Sequence, residues 1–443
     1  MAPLPTTRTV ALLVALAIVG APAAALRALC VGRSCEEAAE AAADVPFCSL
    51  PGRVRDGLAA GFREGRSPDL FAVTRGQTVA GGTAFDQAAG APAWPSVPAG
   101  DASRIPIAFW GTGMDSGAAI PAGTGADDIA PTLARIAGVE RPHPEVRSGT
   151  PIENIASGEV PRVVLEVVLA GTGSADLEES PTTWPFLATL LDEGAATLDG
   201  ETGSLPVDPA AVLTTIGTGG LPHQHGITGT LMRNDSGRLV RAWSPRVPGS
   251  VIAALGDDLD ELLDQRPEVG LVAGRRSDRG LVGGSWYVDG DRDDVAFGAA
   301  DPVEAAARLL REDYADDSEP DLLAVVLRGG LGEMDRQLRA LVKRARAAAR
   351  GSLTVVVSAT GSGLSGPAEM RPAEIAGSIG TDVGDVVEAV AVGGLFLDQK
   401  ELEATKTSDD AVLDSLRSMR AADGNPLFAD VFGGLAISFQ RYC

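Results

Sequence analysis

Histidine is nearly absent from this chain: among 443 residues there are only His143, His223 and His225. A metal-binding histidine has co-ligands and an oriented hydrogen-bond partner, so each of the three reads first as a solvated or internally bonded side chain. Cysteine is almost as scarce, with Cys30, Cys35, Cys48 and Cys443 and none between the last two. No histidine lies near any of them in sequence, and their spacing is not that of a zinc knuckle. No basic cluster interrupts a formal charge of −23, which argues against nucleic acid and anionic lipid as partners, since binding them needs concentrated Lys or Arg. The acidity reads most simply as solubility.

What is present is a folded globular chain. Hydrophobic residues make up 45% of the sequence, and the length suffices for one large α/β domain or two ordinary ones. The N-terminus has one Arg, an uncharged apolar run from Val10 to Gly20 and then Ala-Pro-Ala-Ala-Ala, the pattern of a secretory signal. Extended to Leu26, the run approaches the roughly 20 apolar residues of a membrane span, so residues 1–26 read as a cleaved signal peptide or a retained signal anchor. Leu29 before Cys30 argues against a lipoprotein. Both readings place the bulk of the chain outside the cytoplasm, secreted or membrane-anchored. Paired cysteines suit that compartment, and four of them allow three pairings.

Beyond a linker at 27–47, apolar runs of strand length alternate with helical periodicity. Strands are expected at 69–74, 104–111, 161–171, 269–274, 321–327 and from 354 onward. Helices are expected at 51–65, 125–139, 182–195, 207–219, 302–313 and 333–350, with Asp127 or Asp128 capping the second and Gly138 closing it. Such alternation argues for a doubly wound, mainly parallel sheet flanked by helices. The segment TVVVSATGSG, from 354, is a buried strand running into a loop at the carboxyl edge of such a sheet, the edge where ligands bind.

Several segments together resemble the alkaline phosphatase superfamily, in particular its type I phosphodiesterase and nucleotide pyrophosphatase branch. VVLEVVLAG resembles the first strand of that fold, TTWPFLATLLDEGA the helix after it, and LTTIGTGGLPHQHGITG the segment following the nucleophile. EMDRQLRALV resembles the helix leading to TVVVSATGSG, which in the family ends in Asp-His-Gly. RIPIAFWGTGM and GADDIAPTLARIAGV resemble the closing strand and helix. The closing part, 48–157, precedes the opening part, 158–443, so the resemblance implies a circular permutation of one domain. The new ends are then Cys48 and Cys443, and the same reading pairs these two and leaves Cys30 with Cys35.

Members of the superfamily hold two divalent metals, usually zinc, with Asp and His side chains at the strand ends and attack with a Thr or Ser. Carried over position by position, the resemblance puts Ala170 at the first-strand Asp and Pro209 at the nucleophile. Ala359 and Thr360 stand for Asp-His, and Ala84 or Phe85 for the last His. The Asp-x-x-x-His expected after DLLAVVL is missing, because RGGLG leads directly into a helix. Glu166, Thr172, Asp208 and Thr218, with Ser174, Thr202 and Ser204 beside them, remain as pocket candidates. Asp208 also suits a helix N-cap with Pro209 at the first helical position. A nucleophilic serine needs a base, and His223 is the only one nearby in sequence. GTGSAD and SATGSG do not fit the phosphate-loop spacing.

These observations imply an exported, catalytically inactive relative of the phosphodiesterases without a cofactor. Its role would be binding or structural in the cell envelope, with an envelope protein or small ligand as partner and a possible membrane anchor. The alternative is an active zinc-dependent phosphodiesterase or phosphatase with divergent ligands.

Overall fold

The computed structural model describes residues 47–443 except 83–90, 98–100, 116–117, 245–248, 285, 288–292, 312–313 and 365, and gives only the backbone at 101, 441 and 442. The signal segment, most of the linker, Cys30, Cys35, Ala84 and Phe85 lie outside the described residues.

Strands buried along their whole length build the central sheet. Val163–Leu169, Asp321–Leu327 and Leu353–Ala359 have every residue buried, as parallel strands covered on both faces require. The sheet has seven strands. From one edge to the other they are Ala195–Glu201, Arg104–Gly111, Leu353–Ala359, Val163–Leu169, Asp321–Leu327, Val269–Ala273 and Asp294–Phe297. The pairings from Leu353–Ala359 to Asp294–Phe297 are parallel, and Arg104–Gly111 is antiparallel to both of its neighbours. The α/β class read from the sequence is therefore the observed one.

Helix Leu331–Ala348 buries Met334, Leu338, Leu341, Val342 and Ala345, a single stripe at helical spacing. Its Arg346 lies over the ring of Trp110, 5.6 Å from the centroid. Trp110 is opposite Val355, which is opposite Leu165, and directly opposed residues point to one face. Glu166 and its partner Val356 therefore point to the other face. Helix Pro209–Thr218 is apolar nearly all round and buried at all ten positions. It starts with Pro after Asp208 and stops at Gly219, whose φ of 75° suits a residue without a Cβ.

A second sheet of four antiparallel strands, which the sequence reading did not anticipate, runs Val387–Ala391, Gly394–Leu397, Leu70–Thr74, Phe428–Gly433. Helices Pro372–Val383 and Asp409–Ser418 supply Ile375, Ile379, Val412 and Leu416 to its core. Helix Gly52–Gly61 closes another cluster, of Phe47, Val54, Leu58, Phe71, Phe432 and Ile437. There Cys48 is bonded to Cys443, with Cα atoms 5.1 Å apart, which is the pairing the resemblance implied.

Boundaries differ from expectation at helix ends. The 51–65 helix stops at Gly61, where Phe62 turns extended and a Cβ on Gly61 would run into the Leu205 carbonyl. The 182–195 helix shortens to Pro185–Glu193, and the residues after Gly194 form an edge strand whose polar sequence AATLDGE hid it. Asp128 stands at the N-cap of helix Ile129–Ile136, as expected, but its side chain makes no capping bond to that helix. Asp128 instead receives Gly125 N at 2.9 Å and Thr150 N at 2.8 Å, because a 3₁₀ turn precedes the helix. No described helix is long and apolar enough to cross a membrane.

Candidate functional site

At the carboxyl ends of the two central strands, Ala170 and Thr360 are brought side by side. Ala359 is opposite Leu169, Thr360 N donates to Leu169 O at 3.2 Å, and the Thr360 hydroxyl accepts from Gly171 N at 2.9 Å. Ala170 N extends the ladder to Leu327 O at 2.9 Å. All three side chains, and that of Thr172, are buried. The loops above them are closed by the chain around Ala102. Ser362 N donates to Ala102 O at 3.0 Å, and Gly361, with φ of 94°, leaves no room for a Cβ against that carbonyl. A Cβ on Gly173 would likewise strike the Ser362 hydroxyl.

Pro209 opens the buried helix, and Asp208 is its N-cap. One carboxylate oxygen of Asp208 accepts from Ala210 N, Thr230 N and the Thr230 hydroxyl, each at 2.9 Å. Burial pushes this carboxyl up, while the donors pull it down. Thr218 is at the opposite end of the same helix, about 15 Å away at 1.5 Å per residue. Its hydroxyl donates back to Thr214 O at 2.6 Å.

Glu166 lies in mid-strand, about 13 Å short of Ala170 at strand spacing. Its side chain is wholly buried, Oε1 has no hydrogen-bond partner among the described residues, and burial raises its pKa to about 8. It is therefore a neutral carboxylic acid at pH 7. Of the four pocket candidates, Thr172 is at the strand ends, Glu166 is inside the sheet, and Asp208 and Thr218 sit at the two ends of one helix.

The histidines serve the fold. His225 is fully buried, accepts from Ile227 N at 3.1 Å through Nδ1, and places Nε2 3.1 Å from the Thr215 hydroxyl. Desolvation lowers its pKa to about 3, so it is neutral, and Nε2 is left as the donor to Thr215. His223 is exposed and its Nδ1 meets Ala60 O at 3.1 Å; His143 is exposed beside Glu145 at 3.3 Å. Neither of these two contacts is with a serine hydroxyl. Ser204 Oγ and Ser174 Oγ are buried without a partner among the described residues, and Thr202 Oγ1 donates to Ser204 O at 3.3 Å.

The resemblance assigns the metal ligands and the nucleophile to Ala170, Pro209, Ala359 and Thr360, and these residues do not fit a divalent ion. Ala170, Pro209 and Ala359 carry no side-chain donor atom, and the Thr360 oxygen is committed to Gly171. No group of three or more His, Cys, Asp or Glu suited to a metal occurs among the described residues. A cleft of about 740 Å³ opens elsewhere, at the end of the second sheet, between Arg75, Thr78, Glu369, Asp423 and Asn425. None of the candidate residues lines it.

Sequence reasoning passed over a buried polar cluster. Arg141 and Arg147 both reach Thr218 O at 3.0 Å, Ala253 O at 3.2 Å and one oxygen of Asp258. Tyr287 donates to the other Asp258 oxygen at 2.8 Å. Burial lowers the Arg141 pKa to about 10, against the opposing pull of Asp258. The four residues are scattered from 141 to 287, so no motif marks them. A second cluster centres on Arg233, which bonds Asp69 and Leu397 O at 2.8 Å and Glu388 at 3.0 Å, and lies over the Phe396 ring.

No family model and no curated protein matches this sequence. Among solved structures it is similar to the wild-type alkaline phosphatase PafA, at 14% identity and a TM-score of 0.45, over 58% of this chain and 76% of that one. A multiply substituted form of the same phosphatase is similar at 14% identity and a TM-score of 0.42, with the same coverage.

Proposed function

We propose that this chain is an exported, circularly permuted and catalytically inactive relative of the alkaline phosphatase superfamily, kept as a binding or structural component of the cell envelope. The observation that carries the reading is the adjacency of Ala170 and Thr360 just beyond the paired Leu169 and Ala359, where the resemblance calls for metal-binding Asp and His. Hydrolysis of a phosphodiester needs charge neutralisation on the phosphoryl oxygens and an activated nucleophile. Pro209 in the nucleophile position has no side-chain oxygen, and Asp208 beside it is occupied as a helix cap. The permutation is supported by the order of the matched segments and by the Cys48–Cys443 bond, which ties the two ends together. The partner is an envelope protein or a small ligand rather than nucleic acid, given the charge of −23.

The test is a zinc titration by calorimetry on the isolated protein, with its metal content measured alongside. No binding and no metal is the expected result. Tight binding of one or two ions would overturn the reading and restore that of a zinc-dependent phosphodiesterase with divergent ligands.

A further inference from the structure

The cleft of about 740 Å³ at the end of the second sheet is of ligand size, since small-molecule sites run from about 300 to 1,000 Å³. One wall is the chain leaving strand Leu70–Thr74, with Arg75 and Thr78. The other is the turn 421–427, which leads into strand Phe428–Gly433. Hydrogen bonds fix the two walls to each other. Arg75 N donates to Leu427 O at 3.1 Å, Glu369 N donates to Thr78 O at 2.8 Å, and Ala422 N donates to Glu369 Oε1. The turn is also tied within itself, Ala421 N to Asn425 O and Gly424 N to Ala421 O, each at 2.9 Å. The space between the walls is thus framed by backbone bonds and needs no closing movement to form.

Its charges are unequally committed. Asp423 accepts from Asn425 N at 2.9 Å and from Asn425 Nδ2 at 2.8 Å, bonds that hold its carboxyl below the usual range and keep it ionised at pH 7. Glu369 gives Oε1 to Ala422 N and keeps Oε2. Arg75 is exposed, and its guanidinium has neither a hydrogen bond nor an ion pair among the described residues. An open guanidinium fork matches a carboxylate with two parallel bonds. The lining sets this one cation against two carboxylates, so a simple anion meets the acids and a simple cation meets Arg75. A molecule with both signs at its two ends satisfies both, and Ala421, Ala422, Pro426 and Leu427 give its middle an apolar surface.

We propose that this cleft binds a short peptide with free ends, its C-terminal carboxylate on Arg75 and its N-terminal ammonium on Glu369 and Asp423. The inference concerns a different part of the molecule from the strand ends and does not rest on their being inactive.

The experiment titrates the full chain with trialanine and follows the backbone amide resonances. Saturable shifts confined to 75–78, 369 and 421–427 are expected. Amidating the peptide's carboxylate or acetylating its ammonium should each weaken binding about tenfold or more, the worth of a lost charged hydrogen bond. Arg75→Ala should weaken trialanine as much and leave the amidated peptide unchanged. Glu369→Gln, whose amide oxygen can still accept from Ala422 N, should weaken trialanine and spare the acetylated peptide. Both side chains are exposed, so both variants should melt with the parent. Absent shifts, or shifts centred elsewhere, overturn the site. Equal binding of the amidated or the acetylated peptide overturns the assignment of a two-signed ligand. Either failure leaves the zinc titration, and the reading it tests, untouched.

Discussion

Arg141 donates through Nε to Asp258 at 2.6 Å, and both side chains are almost wholly buried. Arg147 shares the same carboxylate oxygen at 3.2 Å, so two guanidiniums rest on a single acid. The surplus positive charge is directed at Thr218 O, the C-terminal end of the buried helix, where the negative pole of the helix dipole lies.

Removing Asp258 strands two buried cations. Asp258→Ala should destabilise the fold by about 3–5 kcal/mol, the usual cost of breaking a buried pair by deleting one partner. Tyr287→Phe, which deletes only one hydrogen bond to the same carboxylate, should cost about 1 kcal/mol. Urea unfolding of the three proteins checks this. Equal losses for the two variants would mean that the arginines are satisfied by carbonyls alone.

Glu166 and His225 make stability depend on pH in opposite directions. Glu166 has a folded pKa of about 8 against 4.5 unfolded, so the native state holds the proton more tightly. Its contribution is complete below the unfolded value and is lost as pH rises through about 8. His225 has a folded pKa of about 3 against 6.5, so stability is lost as pH falls from 6.5 towards 3. Glu166→Gln should therefore flatten the decline in stability between about pH 4.5 and 8 and leave the loss below 6.5 in place. An unchanged decline in that variant would show that Glu166 is ionised in the native state.

The Cys48–Cys443 bond closes a loop of 395 residues, and cross-links of this kind commonly contribute about 2–4 kcal/mol. Replacing both cysteines with serine should lower stability by that amount without unfolding the protein, because Phe47, Leu50, Val54 and Ile437 still pack together. Hydrogen exchange should quicken selectively at 47–61 and 434–442. Uniform quickening across the central sheet would contradict this.

Arg233 joins the Leu231–Arg233 strand to the second sheet through Asp69, Glu388, Leu397 O and the Phe396 ring. Arg233→Ala should cost about 3 kcal/mol by leaving the half-buried Asp69 without its cation. Arg233→Lys should restore little of it, since one compact ammonium cannot span the four acceptors that the two terminal guanidinium nitrogens reach. Thermal melts of both variants measure the difference.

The central strands were legible because each is a short run of β-branched and apolar residues between turn signals. DLLAVVL at 321–327 is a strand at the same bounds in the structure. The strand Ala195–Glu201 was missed because it lies at a sheet edge and carries polar residues, so neither composition nor alternation marks it. The second sheet escaped for another reason. Its strands come from residues 70–74 and 387–433, and nothing local in either stretch announces the other.

The candidate site was legible only in part. The adjacency of Ala170 and Thr360 follows from pairing two parallel strands that both end in a small-residue loop. That Thr218 stands a whole helix away from Asp208 also follows from the local pattern once the helix is drawn. The clamp of Arg141 and Arg147 on Asp258 does not, because it depends on one loop and helix Leu255–Leu262 meeting at the end of another helix.

By itself the sequence determined the class of the fold and the lack of a side-chain donor at Ala170 and Ala359. Periodicity and residue type are local properties, and a missing side-chain donor stays missing in any fold. Tertiary structure alone decided that the strand-end loops are shut by the chain at Ala102, that Glu166 is sealed in the sheet as an uncharged acid, and that the two ends of the chain meet at Cys48 and Cys443. Closure, desolvation and proximity are set by contacts between residues hundreds of positions apart, and no stretch of sequence carries those alone.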